Sequence, residues 1–401
     1  MQLFTRGVGK LPFITACLCV APITYGHGDL SPEPGTKVEA AVSVTWRDKG
    51  VLLNEGLWQI PGVLMGGEAY PVEEGTSVDD ARIGVYHRSE RDVFGYLQVS
   101  SHSGSQEAEL HHAFAGADVA TGPVMTTLVA GRMAAAITPA NAEHASDRLF
   151  SEAPLALDAF LGRQLNDEGV RLVLSHGPLQ LGLESWRGSA FPATSGEGGG
   201  SGDVYIHVRD QHGALRYHAG LWWLYADAMN RQDTRYNAGG HQHGNAASVV
   251  VPEYWFDGET EMAGVFVRLG WQWARQTALD VDAQWLQVST AGVLRDTTRR
   301  AELDGDDNGG WVQASIRHGD HQWGVRWEQL VLENQLSGAA AEAMAIQTQL
   351  YNQGHDPGRA SMIYRWQLHP DLAVRVEAVD DRIQSQHQQR FAFGLVWKTA
   401  L

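Results

Sequence analysis

The 401-residue chain carries 17 histidines, and imidazole beside carboxylate is ligand chemistry for zinc and similar divalent metals. In "GGHQHG" (239–244), His241 and His243 project the same way if the backbone is extended. His111 and His112 are adjacent, so on a regular strand they point to opposite faces and cannot chelate together. "HGDH" (318–321) and "HGD" (27–29) add further rings. None of these has the framework of a closed structural site, and solvated loop or lumen histidines are the plainer reading. "DGDDNGG" (304–310) matches the start of a calcium loop at Asp304, Asp306, Asn308 and Gly309. Its twelfth position would be Ser315 instead of a bidentate glutamate, so a polar turn is the better reading. No cofactor is expected, and Zn²⁺ or Ca²⁺ at loops is the one alternative, with His241 and His243 as the metal candidates.

Catalytic chemistry finds little support. "SSHSGS" (100–105) sets serine beside histidine without an evident carboxylate partner, and triads assemble from distant positions. "ATSGEGGGSG" (193–202) is a flexible loop with no phosphate-binding lysine after it. No catalytic residue is assigned, and an enzyme is not expected.

A second set of residues forms a pattern instead of a cluster. Arg82, Arg171, Arg209, Arg216, Arg268, Arg326 and Arg375 occupy the polar side of alternating segments, with Glu109, Glu184, Asp280, Asp282, Glu328 and Glu377 as opposing charges. Opposed charges across a watery lumen orient polar solutes and tune ion preference. The same pairs would equally serve as hydrogen-bonded braces of a wall.

The elements that carry them read as strands. "GDVYIHVRD" separates Val204, Ile206 and Val208 from Tyr205, His207 and Arg209, and "GVFVRLGWQW", "WGVRWEQLV" and "LAVRVEAV" repeat the device. Very short links (88–92, 175–178, 209–213, 317–321, 369–371) alternate with long polar ones (47–80, 133–167, 188–202, 226–261, 290–309, 333–358, 381–389). The connection at 101–106 is short where a long one is expected. Eight outer connections and seven tight turns give sixteen strands. Short turns at one end and long loops at the other mark an all-β transmembrane antiparallel barrel, the form in which a sheet can cross a bilayer. Trp46, Trp186, Trp223, Trp273, Trp366 and Trp397 suit its aromatic girdles. The alternative is a large exported β-protein with aromatic-rich strands.

The ends and the composition agree with this. Arg6 and Lys10 precede an apolar run from Leu11 to Ile23, so residues 1–26 read as a signal peptide cleaved after Gly26, leaving 27–401 as the barrel. Both cysteines, Cys17 and Cys19, fall in the signal, so no disulfide framework follows. The formal charge of −17 argues against a nucleic-acid partner. "RFAFGLVWKTAL" reads as a last strand closing against 38–46, although Leu401 stands where such barrels usually carry an aromatic residue.

With the barrel in place, residues 131–174 resemble the outer-membrane porins of the phosphate-selective O/P type, nearest a branch labelled zinc-regulated. The resemblance rests on a "GR" strand end, then Phe150, Pro154 and Leu155, then Gly162, Gln164, Asn166, Asp167, Gly169 and Val170. It implies a third long loop (133–167) folded into the lumen as a constriction, and a homotrimer. That loop offers Glu143, His144, Asp147, Arg148, Glu152, Asp158 and Arg163. Acids outnumber bases there, so phosphate selectivity does not transfer. The expected protein is an outer-membrane channel for passive diffusion of small hydrophilic solutes or ions, in contact with lipid and lipopolysaccharide. The alternatives are a surface protein capturing divalent metal through histidine-bearing loops, and a barrel enzyme acting on lipid.

Overall fold

The computed structural model describes residues 33–53, 57–102, 108–194, 199–235, 253–351 and 354–400. The expected signal segment and the candidates His241 and His243 lie outside these residues. The strands are β1 (Gly35–Arg47), β2 (Gly75–Arg88), β3 (Val93–His102), β4 (Glu109–Thr121), β5 (Val124–Ala134), β6 (Asn166–His176), β7 (Leu179–Trp186), β8 (Gly200–His212) and β9 (Leu215–Arg231). They continue as β10 (Trp255–Ala274), β11 (Thr277–Arg295), β12 (Arg300–His318), β13 (His321–Val331), β14 (Asn334–Ser337), β15 (Gly358–His369), β16 (Leu372–Arg382) and β17 (Gln388–Ala400). Two short helices, α1 (Leu155–Phe160) and α2 (Ala341–Thr348), lie in long connections.

Among the described residues sixteen strands pair antiparallel with both neighbours, and β1 closes on β17 from Glu39↔Ala400 to Arg47↔Ala392. The four-residue β14 is an addition that extends β12, from Glu302↔Ser337 to Gly305↔Asn334. Closure leaves each of these sixteen strands paired on both sides, which a sheet in hydrocarbon requires. Fifteen connections join successive strands of the barrel, seven of them short turns at one end and eight at the other end, most of these longer.

Period-two alternation decides which side each residue takes. On β13, Trp323, Val325 and Trp327 are exposed on the outer surface while Arg326 and Glu328 are buried inside. Phe391, Phe393, Leu395 and Trp397 of β17 all face outward. One girdle assignment is wrong: Trp186 is buried and its indole Nε1 donates to Asp203 Oδ2 at 2.7 Å. It shares the parity of inward-facing Glu184, and parity overrides the preference of tryptophan for an interface.

Two of the outer loops are shorter than expected. Residues 290–309 are mostly β11 and β12, which run to a link at 296–299, and 226–261 shortens to 232–254. "DGDDNGG" is therefore the middle of β12, neither a calcium loop nor a turn. Above the apolar belt the polarity of the two faces inverts. Glu302, Asp304 and Asp306 are exposed, while Leu294, Ala301 and Leu303 turn inward to pack with Phe256 and with Met344 of α2. Polar outward faces imitate a loop, although the period of two persists.

The interior is packed. The first long loop (48–74), expected to be polar and external, sends Trp58, Ile60, Val63 and Met65 inward, where they are at most 3% exposed. They form one core with Leu155, Leu157, Phe160, Leu161 and Leu165 of the third long loop (135–165) and with wall residues Trp222, Phe266 and Leu286. Each such side chain contributes about 1.5–3 kcal/mol on full burial, enough to hold both loops inside the wall.

Candidate functional site

The third loop is gripped by the wall charges that alternation points inward. Its backbone N–H groups are taken up by strand carboxylates. Ala136 N donates to Glu184 Oε2 at 3.0 Å, Ser151 N to Glu377 Oε1 at 2.9 Å and Leu155 N to Glu328 Oε1 at 2.7 Å. Its carbonyls and carboxylates are taken up by strand arginines. Arg82 Nη2 donates to Asp147 Oδ1 at 2.8 Å, Arg268 Nη1 to Glu143 Oε1 at 2.5 Å, Arg326 Nη1 to the Glu152 carbonyl at 3.1 Å and Arg375 Nη1 to the Ala145 carbonyl at 3.2 Å. Buried backbone groups need partners, and here charged side chains supply them.

Glu152 is the hub of this grip. Arg359 Nη1 donates to its Oε2 at 2.6 Å, and Arg390 donates to Oε1 at 2.7 Å and Oε2 at 3.1 Å. Arg359 also binds Glu328 and the Ala153 carbonyl. Burial alone would raise the Glu152 carboxyl, but the Arg390 and Arg359 guanidiniums outweigh it and hold it well below the usual carboxylate range. Nearby, burial, reinforced by Arg163, pushes the Arg148 guanidinium down to about 10.

The motif residues of the loop's feet have structural roles. Asn141 Nδ2 donates to the Ala135 and Leu165 carbonyls, and its Oδ1 accepts from Leu165 N at 2.9 Å, tying entry to exit. Gln164 Nε2 donates to the Asn141 carbonyl, and Asp167 accepts from Gly188 N and Ser189 N. Gly162, at φ +56°, meets Gly67 of the first loop, and a Cβ on either would stand 2.8 Å from the other's Cα. That crossing is closed to any side chain.

Of the expected inward charges, Arg82, Arg326, Arg375, Glu184, Glu328 and Glu377 are buried in contacts to the third loop or its neighbours. Arg171 pairs with Glu184, and Arg268 bridges Glu143 and Asp282. Arg209 and Arg216 are partly exposed near the short β8–β9 turn. Within the loop, Asp158 pairs with Arg163 at 2.9 Å, and Arg163 Nη2 donates to the Tyr70 carbonyl of the first loop at 2.7 Å. Sequence reasoning missed Arg47, Asp79, Asp80, Arg359, Arg390 and Lys398. Several sit at strand ends, where a boundary error of one or two residues hides their parity.

Space remains beside the third loop along β1–β4. One opening is lined by Glu68, Tyr70, Asp79, His102, Glu109, Glu143, His144, Arg148 and Arg163 among others. A second adjoins it through Tyr70, Asp79, Arg148 and Arg163. Burial and Glu68 push the Tyr70 phenol up to about 12, so it stays a neutral donor.

Histidines converge on the first opening. The β3–β4 register runs Gln98↔His112 and then Val99↔Leu110, so His111 is an extra residue in a β-bulge. A bulge re-aims its side chain. His111 and His112 are therefore both buried, with ring centroids 4.5 Å apart, correcting the expectation of opposite faces. His102 and His144 stack beside them at 5.4 Å.

No family model matches the sequence, and no curated protein matches it. Solved structures do resemble the fold. The outer membrane channel DcaP of Acinetobacter baumannii matches with a TM-score of 0.53 at 11% identity, over 92% of this chain and 96% of that one. Pseudomonas putida OprB gives 0.53 at 11%, over 92% and 94%. OmpT of Vibrio cholerae in its trimer form gives 0.50 at 10%, over 91% and 98%. The fold is that of outer-membrane barrels. At such identities the likeness is one of fold alone.

Proposed function

We propose that this chain is an outer-membrane porin, a passive diffusion channel for small hydrophilic solutes or ions. The observation that carries the reading is the third loop held inside a closed barrel by wall charges, with a charged opening left beside it. A loop built only to plug the barrel would need no polar route along one wall. The apolar outer belt fits a bilayer, and residues 1–26 fit export to the outer membrane. The "GRQLND" segment supports placement near the phosphate-selective O/P type and its zinc-regulated branch, without phosphate preference. By analogy with the trimer form of Vibrio cholerae OmpT, we place the chain in a homotrimer.

Planar-bilayer recording of the refolded protein tests the reading. Stepwise conductance is expected, rising when residues 140–160 are deleted. A closed barrel without steps would overturn the channel, and an unchanged conductance in the deletion would overturn the constriction. The residues of the metal-capture alternative, His241 and His243, lie outside the described residues.

A further inference from the structure

The geometry points to a divalent transition-metal site of zinc type, formed by His102, His111 and His144 at the edge of the channel opening. His102 ends β3, His111 comes from the bulge of β4, and His144 belongs to the third loop. One ring nitrogen from each lies within 4.8 Å of the other two. Zinc bound at about 2.0–2.1 Å in a tetrahedron holds its ligand nitrogens roughly 3.4 Å apart, so modest ring rotations complete the set. His111 and His144 are 5% and 4% exposed, and the ring centroids of the three lie 4.7–5.4 Å apart.

The surroundings are those of a metal site. Ligating imidazoles are oriented by polar groups on their other nitrogen, often a carboxylate. Asp80 Oδ1 stands 3.6 Å from His144 Nδ1 and is a buried oxygen without a hydrogen-bond partner. An ion on the opposite nitrogen fixes the Nδ1–H tautomer toward that oxygen. Ser100 Oγ lies 3.0 Å from His102 Nε2 and can accept from it, whereas the Asn166 and Gln98 amide N–H groups face His111 Nε2 and His144 Nε2 at 3.1 and 3.2 Å and give way to the ion at those nitrogens. Glu109 and Glu143 line the opening with His102 and His144, so a carboxylate or solvent takes the fourth position. Imidazole with carboxylate suits zinc and its neighbours in the first transition row. Because one ligand belongs to the third loop and two to the wall, a bound ion pins that loop and narrows the opening. This last step rests on the channel reading.

The test uses the refolded full chain in detergent, with ZnCl2 titrated against a chromophoric chelator and barrel formation checked by heat-modifiable gel mobility. One zinc per chain is expected, with affinity falling at least tenfold in His102→Ala and in His111→Ala and unchanged in His241→Ala/His243→Ala. Absence of binding, binding indifferent to His102→Ala and His111→Ala, or binding lost in the His241/His243 variant would overturn the site. In bilayers, zinc is expected to lower wild-type conductance and leave His102→Ala unaffected. Zinc binding without any metal-free conductance would sink the channel reading and leave the site standing.

Discussion

Arg390 of the last strand grips Glu152 of the third loop through two parallel hydrogen bonds, Nη1 to Oε1 at 2.7 Å and Nη2 to Oε2 at 3.1 Å. The residues are 238 apart in sequence, so this contact exists only once the barrel has closed. Arg359 approaches the same carboxylate from β15. Removing one member of a buried ion group leaves uncompensated charge, at a cost of about 3–5 kcal/mol. Glu152→Gln removes one carboxylate from the group, while Arg359 keeps Glu328 and Arg390 keeps Asp381, and should destabilise the folded barrel by up to about that amount. Urea unfolding in detergent micelles measures it, and a loss under about 1 kcal/mol would show the grip to be incidental.

The same carboxylate predicts a pH dependence. Its folded pKa lies below the ordinary value of 4.5, so its contribution is fully present above that value. The contribution is lost as pH falls from there toward the lower folded pKa. The stability difference between wild type and Glu152→Gln should be flat near neutrality and shrink progressively below about pH 4.5. Other carboxylates titrate in both proteins and largely cancel in the difference. A gap that widens with acid would contradict the assigned sign.

Gly67 and Gly162 predict a mechanical effect. Gly162→Ala would put its Cβ 2.8 Å from the Gly67 Cα, at a φ of +56° that already disfavours a side chain. The two loops must separate, with a strain of about 1–3 kcal/mol. Single-channel histograms should shift to larger or more variable conductance. A histogram identical to wild type would mean that this crossing does not set the width of the path.

Much of the barrel was legible because alternation with period two is a local property and survives in any segment long enough to show it. Strand number, closure and the inward third loop follow from it and from the "GRQLND" resemblance. Trp186 misled because residue type was given priority over the parity that Glu184 already fixed. The outer ends of β11 and β12 resemble loop in the sequence because charge faces outward above the belt, and Leu303 faces inward, reversing the usual sign. The inward first loop left a signal in Trp58, Ile60, Val63 and Met65, an apolar series out of place in an external loop. The His102–His111–His144 convergence left none. It depends on a one-residue bulge, which shifts a register without changing any local pattern.

Charge at the opening predicts ion preference. Glu68, Asp79, Glu109 and Glu143 face it against Arg148 and Arg163. Glu143 is engaged by Arg268, and Asp79 by Arg47 at 3.0 Å, and Glu68 and Glu109 add negative charge to the same lining. Fixed negative charge beside a narrow path raises the local cation concentration, and salt screens the effect. Reversal potentials across a KCl gradient should therefore have the sign of cation preference, weaker at high salt. Glu109→Gln should move the potential toward zero without abolishing conductance. An anion-selective potential in the wild type would mean that Arg148 and Arg163, not the acids, govern the path, and the route drawn along β1–β4 would have to be abandoned.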